Sequence, residues 1–481
     1  MEKLQNYIGG KLMAPLSDQY FDNYEPAKGS VYSLIPDSDE KDIQLATAAA
    51  KSAFKEWSIM PKQKRSQILL RLADLIAENA DSLAEQESRD NGKPLKLAKR
   101  VDIPRAEANI RFFATAILHF ESESHAMEEQ AINYTLRQPI GLVGAISPWN
   151  LPLYLFTWKI APALAAGNCV IAKPSEVTPF TAFTLSKLCI EAGLPPGVLN
   201  IVHGFGHKAG EAIIKDPEIK VISFTGGTKT GARIAAIAAP MFKKLSLELG
   251  GKNPNIIFED CDFDQMLKTT VQSSFANQGQ ICLCGSRILI QKGIYDKFKA
   301  EFVKKVKQLK VGDPLDPDVN LGAVVSKSHM EKIKEYIQIA KDEGGSVLCG
   351  GEQVYLKGDH ADGWFIQPTV IEGLDNTCRT NQEEIFGPVV TLQSFTDEEE
   401  ALDLANGTTY GLSATLWTSN LKRAHRMGQK IHAGIVWINC WLVRDLRTPF
   451  GGTKSSGVGR EGGFEALRFF TEPKNICVSL K

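Results

Sequence analysis

Between residues 138 and 250 the chain alternates short apolar runs with longer stretches of helical period. Residues 140–146 are apolar and contain glycine; residues 154–166 carry apolar side chains at helical spacing and stop at Gly167. An apolar run at 169–172 follows. After it, residues 179–192 read as a helix with Thr178 as candidate N-cap, Pro179 at the first helical position and Gly193 as the stop. The rhythm continues with an apolar run at 199–202, a short helix near 209–214, a strand at 221–225, a helix from Lys229 and a strand at 244–249. Strands alternating with helices in this way predict a parallel sheet joined by right-handed crossovers.

In such a sheet ligands bind beyond the carboxyl ends of the strands, which is the Rossmann-like plan for a dinucleotide. A second αβ-patterned block runs from Gly251 to about Lys454, with helical segments at 331–343 and 398–406 and strands at 389–395 and 434–439. At 481 residues the chain exceeds the ~250–300 at which a single core stops growing. No repeat, low-complexity tract or linker separates the blocks, so they are expected to pack tightly. The tail at 475–480, NICVSL, reads as a short apolar strand, and pairing with another subunit would cover its edge. Residues 138–158 lack any charge, but Pro139, Pro148, Asn150 and Pro152 interrupt them; a strand, a loop and a helix start fit better than a membrane span.

Composition narrows the function classes. Fifty-five basic against 56 acidic residues leave no general footprint for nucleic acid or anionic membrane. The run KKVKQLK at 304–310 reads as a solvated helix face. Nine scattered cysteines do not form a disulfide framework, and the opening MEKLQNYIGGKLM has no long apolar run behind a basic start. A reducing, cytoplasmic setting is the expectation.

The candidate chemistry lies in a few short stretches. FANQGQICLCGSR (275–287) sets Cys282 and Cys284 among glycines and polar residues. A lone C-x-C lacks the paired spacing of a zinc site and is not the usual C-x-x-C redox pair, which leaves a nucleophile or a buried thiol; no metal is expected. SPWN (147–150) follows the first strand, where the Asn150 amide could donate to an oxyanion or merely satisfy a turn. AKPSE (172–176) offers Lys173 and Glu176 to ribose hydroxyls, and a carboxylate there would repel a 2′-phosphate, favouring NAD. FTGGTKTG (224–231) opens a helix with Gly226 and Gly231, whose N–H groups could face a pyrophosphate. Neither this stretch nor GFGHKAG (204–210) has the G-x-G-x-x-G spacing. LELGGKN (247–253) puts Glu248 at a strand end, where burial would raise it toward a general base; pairing with Lys252 is the alternative.

Taken in order and spacing, SPWN, KPSE, FTGGTKTG, LELGGKN, FANQGQICLCGSR, EEIFGPV (383–389) and PFGGTKSSGVGRE (449–461) resemble the NAD(P)-dependent aldehyde dehydrogenase superfamily over essentially the whole chain. The resemblance implies an α/β fold: a Rossmann-type NAD-binding domain (1–116 and 140–250), an αβ catalytic domain (251–466) and a small β oligomerisation arm (117–139 and 467–481). It implies Cys282 as nucleophile, Glu248 as general base and Asn150 as oxyanion donor. NAD would be held by Trp149, Lys173, Ser175, Glu176, Gly206, Gly226, Gly227, Gly231, Leu249, Glu384 and Phe386. Gly227 stands where many members carry Ser.

VDIPR (101–105), NIRFFA (109–114) and NCWLVRDL (439–446) bring the chain closer to the branch that oxidises 2-aminomuconate and 2-hydroxymuconate semialdehydes. There, two arginines that bind the substrate carboxylate map to Arg105 and Arg444, with Phe450 nearby; ion pairs with Asp102 and Asp445 are the alternative. The expected reaction is oxidation to a carboxylic acid through a cysteine thiohemiacetal and thioester, by a homodimer or homotetramer. A broad-specificity enzyme for simple, betaine-type or retinal-type aldehydes would share the chemistry with a different pocket.

Overall fold

The computed structural model describes residues 1–481. The strand–helix rhythm of the first block folds as read. Leu142–Ile146, Cys169–Lys173, Leu199–Ile201, Ile219–Thr225 and Lys244–Glu248 form a parallel sheet. In space the order runs 244–248, 219–225, 142–146, 169–173, 199–201. The chain therefore builds outward from Leu142–Ile146, then returns to its other side with Ile219–Thr225. This reversal is a topological switch point, and the crevice outside those two strands is where the fold receives a ligand. Gly457–Val458 extends one edge and Asn6–Ile8 the other, both antiparallel.

Helix Pro152–Ala165 has every side chain buried, as its nearly continuous apolar sequence requires. It packs against helix Ile103–Ala116. The uncharged stretch at 138–158 is thus a strand, a loop and a buried helix, and no helix of the chain is long and apolar enough to cross a membrane. The next helix, Phe180–Glu191, departs from the expectation. Pro179 occupies the cap position without a side-chain cap bond, and the Thr178 hydroxyl donates instead to the Trp149 carbonyl at 3.2 Å.

The second block forms a seven-stranded sheet in which Ser346–Cys349 alone is antiparallel. Helices Lys327–Asp342 and Glu398–Asn406 and strands Val389–Phe395 and Ile435–Ile438 fall where the pattern put them. The sheets are joined through residues 249–252, between Lys244–Glu248 and Asn253–Ile257. The terminal strand is longer than expected, Thr471–Ser479, and it pairs with Ala131–Pro139 of its own chain. It remains an edge of a three-stranded sheet completed by Ser124–Met127, on which Ile132, Tyr134 and Leu136 stay exposed.

Candidate active site

A groove of about 600 Å³ runs along the carboxyl ends of the first sheet, lined by Lys173, Ser175, Glu176, Gly206, Gly226 and Gly227 among others. Through shared walls at Pro148, Trp149 and Thr225–Gly227 it meets a cleft of about 240 Å³ bearing Asn150, Leu249, Cys282, Glu384 and Phe386.

At the groove end, Lys173 Nζ donates to Glu176 Oε2 at 2.9 Å, and the Gly206 N–H donates to Oε1 at 3.2 Å. Burial pushes the Glu176 carboxyl up, but Lys173 and these donors outweigh it and hold the group below its usual value. Ser175 turns inward, accepting from the Val177 N–H.

The glycines of FTGGTKTG need a correction. The Gly226 N–H is already spent on the Glu248 carbonyl at 3.0 Å, and that of Gly231 on the Gly227 carbonyl at 3.0 Å. Their lack of a side chain serves packing: a Cβ at Gly226 would stand 2.4 Å from the Phe224 ring, and one at Gly231 would stand 2.5 Å from Leu249. Gly231 does not line the groove. The free donors are the first N–H groups of helix Thr228–Ala238, which opens at Gly227 with no side-chain cap.

At the cleft, residues 277–279 all adopt the left-handed conformation, and the turn they make delivers Gln280 to Cys282. A Cβ at Gly279 would lie 2.1 Å from the Gly387 carbonyl oxygen, so only glycine fits. Three successive carbonyls then fix the loop. Asn253 Nδ2 donates to Cys282 and Cys284 at 2.7 and 2.9 Å, and Trp441 Nε1 donates to Leu283 at 3.0 Å. Cys282 is half-buried and lines the cleft; Cys284 is buried, its sulfur 3.9 Å from the Ala276 carbonyl oxygen. Burial, then Glu384, Glu248 and Cys284, push the Cys282 thiol up, and Arg444 pulls the other way.

Asn150 Nδ2 donates to the Gln280 carbonyl at 2.9 Å. A primary amide carries two N–H bonds, so one remains for an oxygen on Cys282's partner. Glu384 Oε1 accepts from the Gly251 N–H at 2.9 Å, and Phe386 sets its ring edge-on to Trp149 at 5.2 Å. Glu248 is withdrawn from the cleft wall, and neither of its oxygens has a protein partner. Burial and the neighbouring Glu461 raise it well above a normal carboxyl, against the pull of Lys159, Arg444 and Arg460. It does not pair with Lys252. The buried Lys159–Glu461 pair, 3.0 Å apart and reaching Ser223 and Ser246, is the charged group set beside it.

The two arginines come together. Arg444 Nη1 donates to the Tyr154 hydroxyl at 2.9 Å, and its guanidinium lies 3.7 Å from the Phe450 ring centroid and 4.6 Å from that of Trp158. Arg105 lies over the Tyr154 ring, 5.7 Å from its centroid. Nε and Nη2 of both arginines are buried without a partner. Their expected alternative partners are engaged elsewhere: Asp102 binds Lys93 and Asp445 binds Arg447.

Sequence reasoning passed over His329 and Lys332, which also line the cleft. His329 Nε2 lies 2.7 Å from the Phe386 carbonyl oxygen, and Lys332 Nζ donates to the Glu384 carbonyl at 3.1 Å. Both sit on an amphipathic helix whose sequence, KSHMEKIKEY, carries no local sign of a site.

The groove at the switch point ends on a fixed cysteine, beside an amide donor and a buried carboxyl. The chain belongs to the aldehyde dehydrogenase family, whose model matches residues 13–476. It is 51% identical over 478 residues to a 2-aminomuconic semialdehyde dehydrogenase of Bos taurus, covering 99% of this chain and 98% of that one. It is 44% identical to a 2-hydroxymuconic semialdehyde dehydrogenase of Pseudomonas sp. (strain CF600), over the full length of both. An NAD⁺ complex structure of an aldehyde dehydrogenase from Bacillus cereus superposes with a TM-score of 0.97 at 38% identity, covering 100% of this chain and 97% of that one.

Proposed function

We propose that this enzyme oxidises a carboxylate-bearing semialdehyde of the 2-aminomuconate or 2-hydroxymuconate class, using NAD. The observation that carries the substrate class is the pair Arg105 and Arg444. Four buried guanidinium nitrogens without partners form a site that an acidic group would satisfy through charge-assisted, bidentate bonds.

The family uses a nicotinamide cofactor. The groove fits one: Lys173 and Glu176 would meet the adenosine ribose, Ser175 and Gly206 line that end, and the helix opening at Gly227 would face the phosphates. Trp149, Leu249, Glu384 and Phe386 would flank the nicotinamide end. When bound, that group supplies the hydride acceptor. The Glu176 carboxylate, held below its usual value, favours NAD over NADP.

Cys282 Sγ, as thiolate, adds to the aldehyde carbon and forms a thiohemiacetal. The Asn150 amide stabilises the oxyanion, an interaction that can be worth about 3–4 kcal/mol per donor. After the carbon is oxidised to a thioester, Glu248 takes a proton from water and the acid leaves, restoring the thiol. Comparing kcat/KM for a muconate semialdehyde and for propanal, followed at the nicotinamide absorbance, tests the substrate class; propanal as the better substrate would reject it. Glu248→Ala should keep a burst of NADH while steady turnover stalls, and Cys282→Ala should lose both.

The chain divides, in this reading, into a cofactor unit (1–116 and 140–250), a catalytic unit (251–466) and an arm (117–139 and 467–481). The open edge and exposed apolar face of the arm support a homodimer or homotetramer; the cytoplasm is the proposed compartment, from the scattered, unpaired cysteines. Light scattering on the purified protein reads the subunit number.

A further inference from the structure

The loop at 147–151, which presents Asn150, is held by side chains from distant parts of the chain. Asn91 Nδ2 and Thr178 Oγ1 donate to the Trp149 carbonyl at 2.9 and 3.2 Å. Lys93 Nζ and Asn277 Nδ2 donate to the Asn150 carbonyl at 3.1 and 2.9 Å. Lys93 stands apart from the other three because it is charged and 0% exposed. Neutral amides and a hydroxyl close the rest of the loop, and an ammonium in the same place carries a large desolvation cost.

Its counter-ions are also fully buried. Asp102 Oδ1 lies 2.5 Å from Lys93 Nζ, and Glu87 Oε1 lies 3.6 Å away. Glu87 reaches the start of the helix that follows this loop with its other oxygen, accepting from the Leu153 N–H at 3.3 Å. Burial pushes the Glu87 carboxyl up to about 8, against the pull of Lys93. Asp102 ends the segment Ala98–Asp102 that runs directly into helix Ile103–Ala116, and Arg105 stands on the first turn of that helix. One buried ammonium therefore joins the loop of the oxyanion donor to the helix of a substrate arginine.

We propose that Lys93 is a positioning residue for the reaction, fixing the Asn150 amide and the Arg105 helix at a set span across the substrate. This rests on the reading of Asn150 as oxyanion donor and Arg105 as carboxylate anchor. Lys93 touches neither substrate nor cofactor in this scheme; it acts through the groups it holds.

The test is a double-mutant cycle on the pre-steady-state NADH burst, with the muconate semialdehyde and NAD both saturating, so that any loss of carboxylate binding through Arg105 stays out of the burst rate. Asn150→Ala alone should slow the burst by about 100-fold or more. Lys93→Met should slow it at least about tenfold when Asn150 is present, and by less than about threefold in the Asn150→Ala background, because coupled groups are non-additive. NAD affinity, read by fluorescence titration, should be unchanged by Lys93→Met. Equal losses in the two backgrounds, or no loss with Asn150 intact, would overturn the role of Lys93. An undiminished burst in Asn150→Ala alone would remove the oxyanion reading and the Lys93 proposal with it. Lys93→Met leaves Asp102 buried without a counter-ion, so Lys93→Met/Asp102→Leu is carried through the same cycle. Replacing both charges together by apolar side chains is tolerated where removing one is not, and the same outcomes decide.

Discussion

Removing Arg444 should damage the oxidation of an acidic aldehyde far more than that of a neutral one. Its guanidinium lies 3.7 Å from the Phe450 ring centroid and is held by Tyr154, with Nε and Nη2 left free. An arriving carboxylate would take those N–H groups as hydrogen bonds to a charged partner, each worth about 1.5–3 kcal/mol net. Arg105 would still hold part of the carboxylate, so Arg444→Ala should cost about 2–4 kcal/mol in kcat/KM, or about 30- to 900-fold. Arg444 has a second effect, since it works against the upward push on the Cys282 thiol. Loss of that help slows every aldehyde alike, so the ratio between substrates is the decisive quantity. Initial rates of NADH formation are measured for a muconate semialdehyde and propanal, in wild type, Arg444→Ala and Arg444→Lys. The semialdehyde-to-propanal ratio should fall at least about 30-fold in Arg444→Ala, and less in Arg444→Lys, which keeps charge but not the planar fork. A ratio that stays constant while both rates fall would refute a carboxylate site here.

Three other outcomes follow from the site. Gly227 has φ of −70° and open space where a Cβ would stand, so Gly227→Ser should fit without strain and add a hydroxyl beside the free N–H groups of helix Thr228–Ala238; it should lower the Kd for NAD about three- to tenfold in a fluorescence titration, and unchanged binding would show that the hydroxyl finds no phosphate. Glu176→Gln should raise the NADP-to-NAD ratio of kcat/KM about tenfold or more, by removing the carboxylate that repels a 2′-phosphate, whereas an unaltered ratio would take Glu176 out of cofactor choice. In the cofactor-free protein the Cys282 thiol is raised, so its neutral form persists as pH rises and the thiolate grows in only on the alkaline side; alkylation of Cys282 by iodoacetamide, mapped by mass spectrometry, should still be accelerating above about pH 8.5, the ordinary thiol value, and a plateau by about pH 7 would contradict the buried, anion-flanked thiol.

The strands and helices of 138–250 were legible because their signals are local. Apolar runs mark buried parallel strands, helical spacing marks the crossovers, and glycine marks the stops. The proposed reacting groups drew notice for a related reason: Cys282, Glu248 and Asn150 each sit in a short stretch whose glycines or prolines suggest a backbone held close to something. Thr178 shows the limit of that kind of reading. Its position before Pro179 has the right form for a cap, yet its hydroxyl serves the Trp149 carbonyl, which lies 29 positions away.

What the amino-acid order settled by itself was the doubly wound plan, the motif set and the chemical types available, since each depends on neighbours in the chain. The tertiary structure alone decided which of those groups remain free to act. The N–H groups of Gly226 and Gly231 are consumed within the fold, Asp102 goes to Lys93 rather than to Arg105, and the two arginines are left unpaired around Tyr154. Lys159 meets Glu461 across 302 positions. Such pairings follow from the packing of distant segments into a low-dielectric interior, where each polar group must find a partner or stay unsatisfied, and no local pattern records which partner it will be.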